Sequence, residues 1–98
     1  MKANIDILLM DSCWEGNMEK AKQLISDGAN PNYQDGRGVT PLMLASASGN
    51  IDLLKYLIDM GADVELGDFE KGWTASSYAA LNGQHEVSQF FRNLKSHN

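Results

Sequence analysis

The chain is 98 residues long, with 43% hydrophobic and 21% charged residues, a size and composition that fit one small globular domain and not two. Thirteen acids against eight bases give a formal charge of −5, a field that repels nucleic-acid phosphates and anionic membrane and favours a basic or neutral partner. The basic residues form no run and no apolar stretch approaches the roughly 18–20 residues that span a bilayer, so neither a nucleic-acid nor a membrane partner is expected.

The opening Met1-Lys2-Ala3-Asn4-Ile5-Asp6 has one base and then an acid inside the first apolar stretch, which does not read as a signal peptide. A single cysteine, Cys13, has no partner for an internal disulfide, and an intracellular, cytoplasmic protein is expected.

Taken in chain order, Ile7-Leu8-Leu9 through Cys13 and Trp14 predicts a short helix that stops at Gly16-Asn17. Met18, Ala21, Leu24 and Ile25 follow at offsets 0, 3, 6 and 7, which put all four on one side of a longer helix. That helix meets Gly28, suited to the left-handed residue that ends a helix. After the turn-rich Gly36-Arg37-Gly38, Thr40 supplies a hydroxyl cap and Pro41 the proline tolerated at a first helical position. Leu42, Leu44 and Ala45 then lead to Gly49. A second longer helix carries Ile51, Leu54, Leu57 and Ile58, each 33 positions beyond its counterpart, and ends at Gly61. The loop Asp27-Gly28-Ala29-Asn30-Pro31-Asn32 likewise recurs as Met60-Gly61-Ala62-Asp63-Val64-Glu65. From Thr40 to Thr74 the step is 34, because the loop from Asp68 to Gly72 holds one extra residue. A third short helix and a third longer one, with Val87, Phe90, Phe91 and Leu94 on its apolar face, close the pattern.

A period of 33 residues built from a short helix, a tight turn, a longer helix, a glycine stop and an extended loop is the mark of a repeat array. Gly38-Val39-Thr40-Pro41-Leu42-Met43-Leu44-Ala45-Ser46-Ala47-Ser48-Gly49-Asn50, followed by Leu57-Ile58-Asp59-Met60-Gly61-Ala62-Asp63-Val64, resembles the ankyrin repeat over nearly its whole length. The tetratricopeptide repeat is the alternative, but it has neither the Thr-Pro-Leu opening nor the Gly-Ala-Asp-Val exit. The resemblance covers about Ile5 to Leu94 and implies an all-α solenoid of helix-turn-helix units joined by hairpin-like fingers. One domain over residues 1–98 is expected, with repeats at about 4–34, 35–68 and 69–98.

Two units depart from the family pattern. The first has Ile7-Leu8-Leu9 where the second has Thr40-Pro41-Leu42, and the third has Ala75-Ser76-Ser77 after Thr74. Met43 stands where the family usually has a histidine that fixes the loop, so a looser middle loop and modest stability are expected. The ends read as caps, since a terminal unit needs a polar outer face. His85, Ser88 and Arg92 replace Ile51, Leu54 and Ile58 in the third unit, and Asp11-Ser12 replace Leu44-Ala45 in a first unit expected to begin at Met1. Lys95-Ser96-His97-Asn98 stand in place of the third glycine exit.

Nothing in the sequence reads as catalytic. Cys13 has no histidine near it in sequence and reads as a small core residue, and one cysteine with His85 and His97 matches no zinc spacing. Gly36-Arg37-Gly38 lacks the Gly-Lys-Ser/Thr of a phosphate loop, and Asp59, Asp63 and Glu65 lack the order of a calcium loop. No metal, cofactor or catalytic residue is expected. Asn32 reads as a turn asparagine bonded to its own backbone; the resemblance implies that such an asparagine can be hydroxylated in animal cells.

The resemblance also implies where a partner binds. In the family the concave side is formed by finger tips and the open face of the short helices. Carried over by position, this face holds Trp14, Glu15, Arg37, Val39, Ala47, Ser48, Phe69, Glu70, Lys71, Trp73, Leu81 and Asn82. Small Ala47 and Ser48 between Trp14 and Leu81 would form a shallow groove with apolar walls, and aromatic and arginine side chains dominate interface energetics. The expected function is a non-catalytic, monomeric protein-binding module. The alternatives are a regulatory ankyrin segment of a larger enzyme or channel, and a self-assembling repeat protein.

Overall fold

The computed structural model describes residues 4–96, without the side chain of Ser96; the start of the cap expected to begin at Met1 and the end of the Lys95 to Asn98 segment lie outside them. The described residues form six helices and no strand: α1 (Ile5–Glu15), α2 (Met18–Ser26), α3 (Pro41–Ser48), α4 (Ile51–Asp59), α5 (Ala75–Leu81) and α6 (His85–Ser96). Each short helix packs on the longer one after it, and α3 lies between α1 and α5. The stack is elongated, 43 × 28 × 24 Å.

The same local chemistry sets the boundaries in successive units. The side-chain oxygens of Asn17 and Asn50 accept the backbone N–H groups of Lys20 and Leu53 at 3.1 and 3.0 Å, capping α2 and α4. At the other end of α4 the chain turns through Gly61 at φ +98. There the N–H groups of Gly61 and Ala62 return to the carbonyls of Ile58 and Leu57, and Gly28 and Ala29 repeat this on Ile25 and Leu24. The middle loop is pinned without a histidine. The Met43 N–H donates to Thr40 Oγ1 at 3.2 Å, and the Thr40 N–H points at Met43 Sδ at 3.4 Å in a fully buried setting. In the third unit Ser77 Oγ takes the Thr74 N–H at 3.3 Å.

The apolar rows seen in the sequence become one continuous core. Leu24, Leu57 and Phe91 occupy the same place in three successive units, and Leu57, flanked on both sides, is wholly buried. On the last helix His85 and Arg92 are exposed and Ser88 is half-buried, while Val87 and Phe91 are buried and Phe90 is half-buried. Leu94, expected on the apolar face, is exposed because it lies near the open end of the stack. The first cap is only half as expected. Asp11 faces solvent, but Ser12 is buried, and its hydroxyl is satisfied by donating to the Leu8 carbonyl one turn back at 3.0 Å.

Side-chain amides tie each unit to the next. Asn50 Nδ2 donates to the Gly16 carbonyl at 3.3 Å, and its counterpart Gln84 donates through Nε2 to the Ala47 carbonyl at 2.8 Å. Asn32 does the same between loops, with Nδ2 on the Gly61 carbonyl at 2.9 Å and Oδ1 receiving the Asp63 N–H at 2.7 Å. The sequence reading of Asn32 as a turn residue bonded to its own backbone is corrected here: Asn30 does that, its Oδ1 accepting the Asn32 N–H at 2.8 Å. Replacing Asn32 with alanine removes two inter-unit bonds and is expected to cost about 1–2 kcal/mol. The urea midpoint should fall with an unchanged slope; a midpoint equal to wild type would show that the bonds contribute nothing net.

Candidate functional site

The open face is built from two groups of side chains at opposite ends of the short helices. The eight residues of α3 separate the groups by about 12 Å at 1.5 Å per residue.

At the finger end, Asp35 closes the second finger. Its Oδ1 accepts the N–H groups of Arg37 at 2.8 Å and Val39 at 3.0 Å. Partial burial pushes its pKa up, but those two N–H bonds and the Arg37 guanidinium outweigh it and hold the carboxyl below its ordinary value. Arg37 itself stays out in solvent with only a 3.5 Å contact to Asp35, an exposed pair of little energetic weight.

Asp68 does the equivalent work in the longer third finger. Oδ1 accepts the Lys71 and Gly72 N–H groups at 2.8 and 3.1 Å, and Oδ2 accepts the Tyr78 hydroxyl at 2.8 Å. The Lys71 N–H and the Tyr78 hydroxyl depress its pKa. Burial and the same bond push the Tyr78 phenol up to about 12. Tyr78 also meets Trp73 edge-on, with ring centroids 6.2 Å apart, and Lys71 Nζ sits 4.8 Å from the Trp73 ring centre. The extra residue therefore adds an ordered loop and not a slack one.

The two fingers are joined where Phe69 crosses Gly38. The Phe69 N–H donates to the Arg37 carbonyl at 2.9 Å. A Cβ on Gly38 (φ +81) would lie 2.6 Å from the Phe69 nitrogen. Gly38→Ala faces both a left-handed backbone and a clash that only the backbone can relieve, and is expected to cost at least about 2 kcal/mol. In a Trp14→Phe background, which leaves Trp73 as the reporter, its emission should shift to the red as the finger loosens. An unshifted spectrum would mean that the finger holds without this contact.

At the far end, three equivalent positions form a row across α1, α3 and α5. Trp14 is 57% exposed, Ala47 is 8% exposed, and Leu81 is 59% exposed. Two large apolar side chains thus stand on either side of a small, buried residue. Glu15, Ser48 and Asn82 form the next row; Glu15 and Asn82 are exposed, while the Ser48 hydroxyl lies within reach of the Ala45 and Cys13 carbonyls at 3.2 and 3.4 Å.

Of the residues expected on the face, Glu15, Arg37, Glu70, Lys71 and Asn82 are exposed, as are Trp14, Phe69 and Leu81. Val39 is a correction. It is only 5% exposed because its side chain, just before the Thr40 cap, joins the core. Trp73, its counterpart, is half-buried against Tyr78 and Lys71, so a loop tryptophan is less open than its sequence context implies. Ala47 contributes a floor and not a projecting contact. One feature escaped the sequence reading, the Asp68–Tyr78 anchor, while Asp11, read there as a cap residue, also stands on the side of α1 that carries Trp14. The recurrence of Asp35 as Asp68 was the available signal for the anchor.

A cleft of about 250 Å³ lies elsewhere, where Val64 meets Thr74, Phe91 and Lys95. It is smaller than the roughly 300–1,000 Å³ usual for small-molecule sites. Cys13 is fully buried, and burial pushes its thiol up to about 12; such a group is a neutral core side chain and not a nucleophile.

Comparison with known proteins agrees with this geometry. The family model for ankyrin repeats matches three copies over residues 9–97, and the chain belongs to the ankyrin-repeat family, a non-catalytic protein–protein interaction fold. It is 34% identical over 79 residues to ankyrin repeat and SAM domain-containing protein 6 of Mus musculus, covering 80% of this chain and 9% of that protein. Potassium channel AKT1 of Arabidopsis thaliana is 31% identical over 78 residues, with the same two shares. Protein phosphatase 1 regulatory subunit 27 of Homo sapiens is 40% identical over 55 residues, covering 56% of this chain and 36% of that protein. The chain thus spans less than a tenth of the length of the first two of these relatives. No helix among the described residues is long and apolar enough to cross a membrane.

Proposed function

We propose that this domain is a non-catalytic protein-binding module that receives its partner on the concave face, and that it works inside the cell as a monomer. The observation that carries the reading is the row of Trp14, Ala47 and Leu81. Two exposed apolar side chains flank a small floor, on helices fixed by a continuous core. Exposed large residues beside a preorganised surface supply contact area at little ordering cost. The pinned third finger, which holds Phe69 at 66% exposure, extends the same face.

The test is affinity capture with the wild-type chain and with Trp14→Ala plus Leu81→Ala, both checked for equal unfolding midpoints. Trp73 is left intact, because removing it would disturb the finger. A protein retained by the wild type and lost from the double variant supports the reading. Equal retention by both moves the site to the long helices.

The relatives favour a second reading, in which the domain is a regulatory segment of a larger protein, since one of them is a potassium channel and another a phosphatase regulatory subunit. A transcript whose reading frame runs on past Asn98 would support it, and one that stops there would remove it.

A further inference from the structure

The short helices are charged in one sense only. α1 carries Asp6, Asp11 and Glu15, while α3 and α5 carry no charged residue. Asp6 is engaged, accepting the Asn30 N–H at 2.7 Å. Asp11 and Glu15 are exposed. Asp11 and Trp14 stand three apart and Asp11 and Glu15 four apart, a spacing that brings them together on one side of a helix. Asp11 therefore stands one turn before the exposed indole on the same side of the helix, with Glu15 on Asp11's other flank. No lysine or arginine on any of the three helices neutralises the two carboxylates. Across the buried Ala47, the opposite wall at Leu81 is apolar, and no acid or base stands on its helix.

On the binding reading given above, we infer that the partner presents a cationic, amphipathic segment. One arginine or lysine of that segment lies on Trp14 with its charge towards Asp11 and Glu15, and aliphatic side chains of the segment cross Ala47 to Leu81. A cation over an indole face gains from the ring quadrupole, and the nearby carboxylates add charge complementarity. The formal charge of −5 steers the same kind of partner at longer range. Nucleic acid and anionic membrane carry the wrong sign, and a second copy of this chain brings the same excess of acid.

The experiment is selection from a displayed library of random 12-residue peptides on the wild-type domain. The selected peptides are then titrated at low and high salt against wild type, Asp11→Asn plus Glu15→Gln, Trp14→Ala and Leu81→Ala. All four substituted positions are exposed, and far-ultraviolet dichroism checks that each variant folds. The selected sequences should be rich in arginine or lysine with leucine, isoleucine or methionine. Their affinity should fall about tenfold in the charge variant, by a similar factor in Trp14→Ala, and with rising salt.

Neutral or acidic selected peptides overturn the inference. So does an affinity unchanged in the charge variant but lowered by Trp14→Ala and Leu81→Ala, an outcome that leaves the concave-face reading standing. Peptides indifferent to all four substitutions, or no selected peptide at all, count against both. Self-association in sedimentation that Trp14→Ala abolishes assigns the face to a second copy and likewise overturns the inference.

Discussion

Leu57→Ala is expected to lower the stability of the domain by about 3 kcal/mol, within the roughly 2–5 kcal/mol that such truncations cost in well-packed cores. Leu57 is wholly buried, with Leu24 and Phe91 at the equivalent places in the units on either side. A cavity there weakens both unit interfaces at once, and in a stacked array those interfaces supply much of the stability. Small domains have only about 5–10 kcal/mol in total, so the variant should unfold at a markedly lower urea concentration. Leu24→Ala, in a terminal unit and 8% exposed, should cost less. Equal losses at the two positions, or a loss under about 1 kcal/mol at Leu57, would mean that the units do not share a continuous core.

Alkaline solution should destabilise the fold in a window set by one buried and one half-buried group. Burial raises Cys13 from 9.0 to about 12, and burial with the Asp68 bond raises Tyr78 from 10.0 to about 12. Below pH 9 both groups are neutral in the folded and unfolded chains, and the stability tied to them is present in full. As pH rises from 9 through about 12, the unfolded chain loses its thiol proton first and then its phenol proton, while the native chain still holds both. Each such group costs about 1.4 kcal/mol per pH unit across its window, so Cys13 alone should account for a loss on the order of 4 kcal/mol by pH 12. Urea midpoints measured from pH 8 to 11 should fall from pH 9 in the wild type. In Cys13→Ala the fall should begin only near pH 10, where Tyr78 acts. Identical slopes in both proteins would contradict a thiol kept neutral by burial.

Most of the fold was legible because it is written three times. Leu24 and Leu57 hold one register, Phe91 continues it 34 positions on, and Gly28 and Gly61 mark equivalent exits. Periodicity of that kind reports which side of a helix is buried, and it does so without knowledge of what covers it. The departures were less legible because their physical reasons lie between units. Ser12 reads as a polar cap residue, yet a hydroxyl one turn after a carbonyl can satisfy itself and accept burial. Asn32 reads as a turn residue, yet its amide is shaped to bridge a carbonyl and an N–H in the neighbouring loop.

At the site, the row of Trp14, Ala47 and Leu81 was visible by counting, and its exposures match a groove with small floor and apolar walls. The fingers resisted the same treatment. Val39 and Trp73 occupy equivalent positions, and counting along the chain cannot tell an inward-pointing valine from an indole laid between Tyr78 and Lys71. Those placements depend on the Asp35 and Asp68 carboxylates, which close the two fingers around different numbers of residues.

The most direct test of a binding face on the concave side is site-specific photo-crosslinking in cells. A photoreactive phenylalanine analogue would be placed at Trp14 or Leu81 on the short helices, and at Lys20 or Glu86 on the long ones, all exposed positions. The expected result is a shared crosslinked protein from positions 14 and 81 and none of it from 20 and 86. Crosslinks to one protein from 20 and 86, with 14 and 81 silent, would contradict the concave site and place the interface on the convex helices.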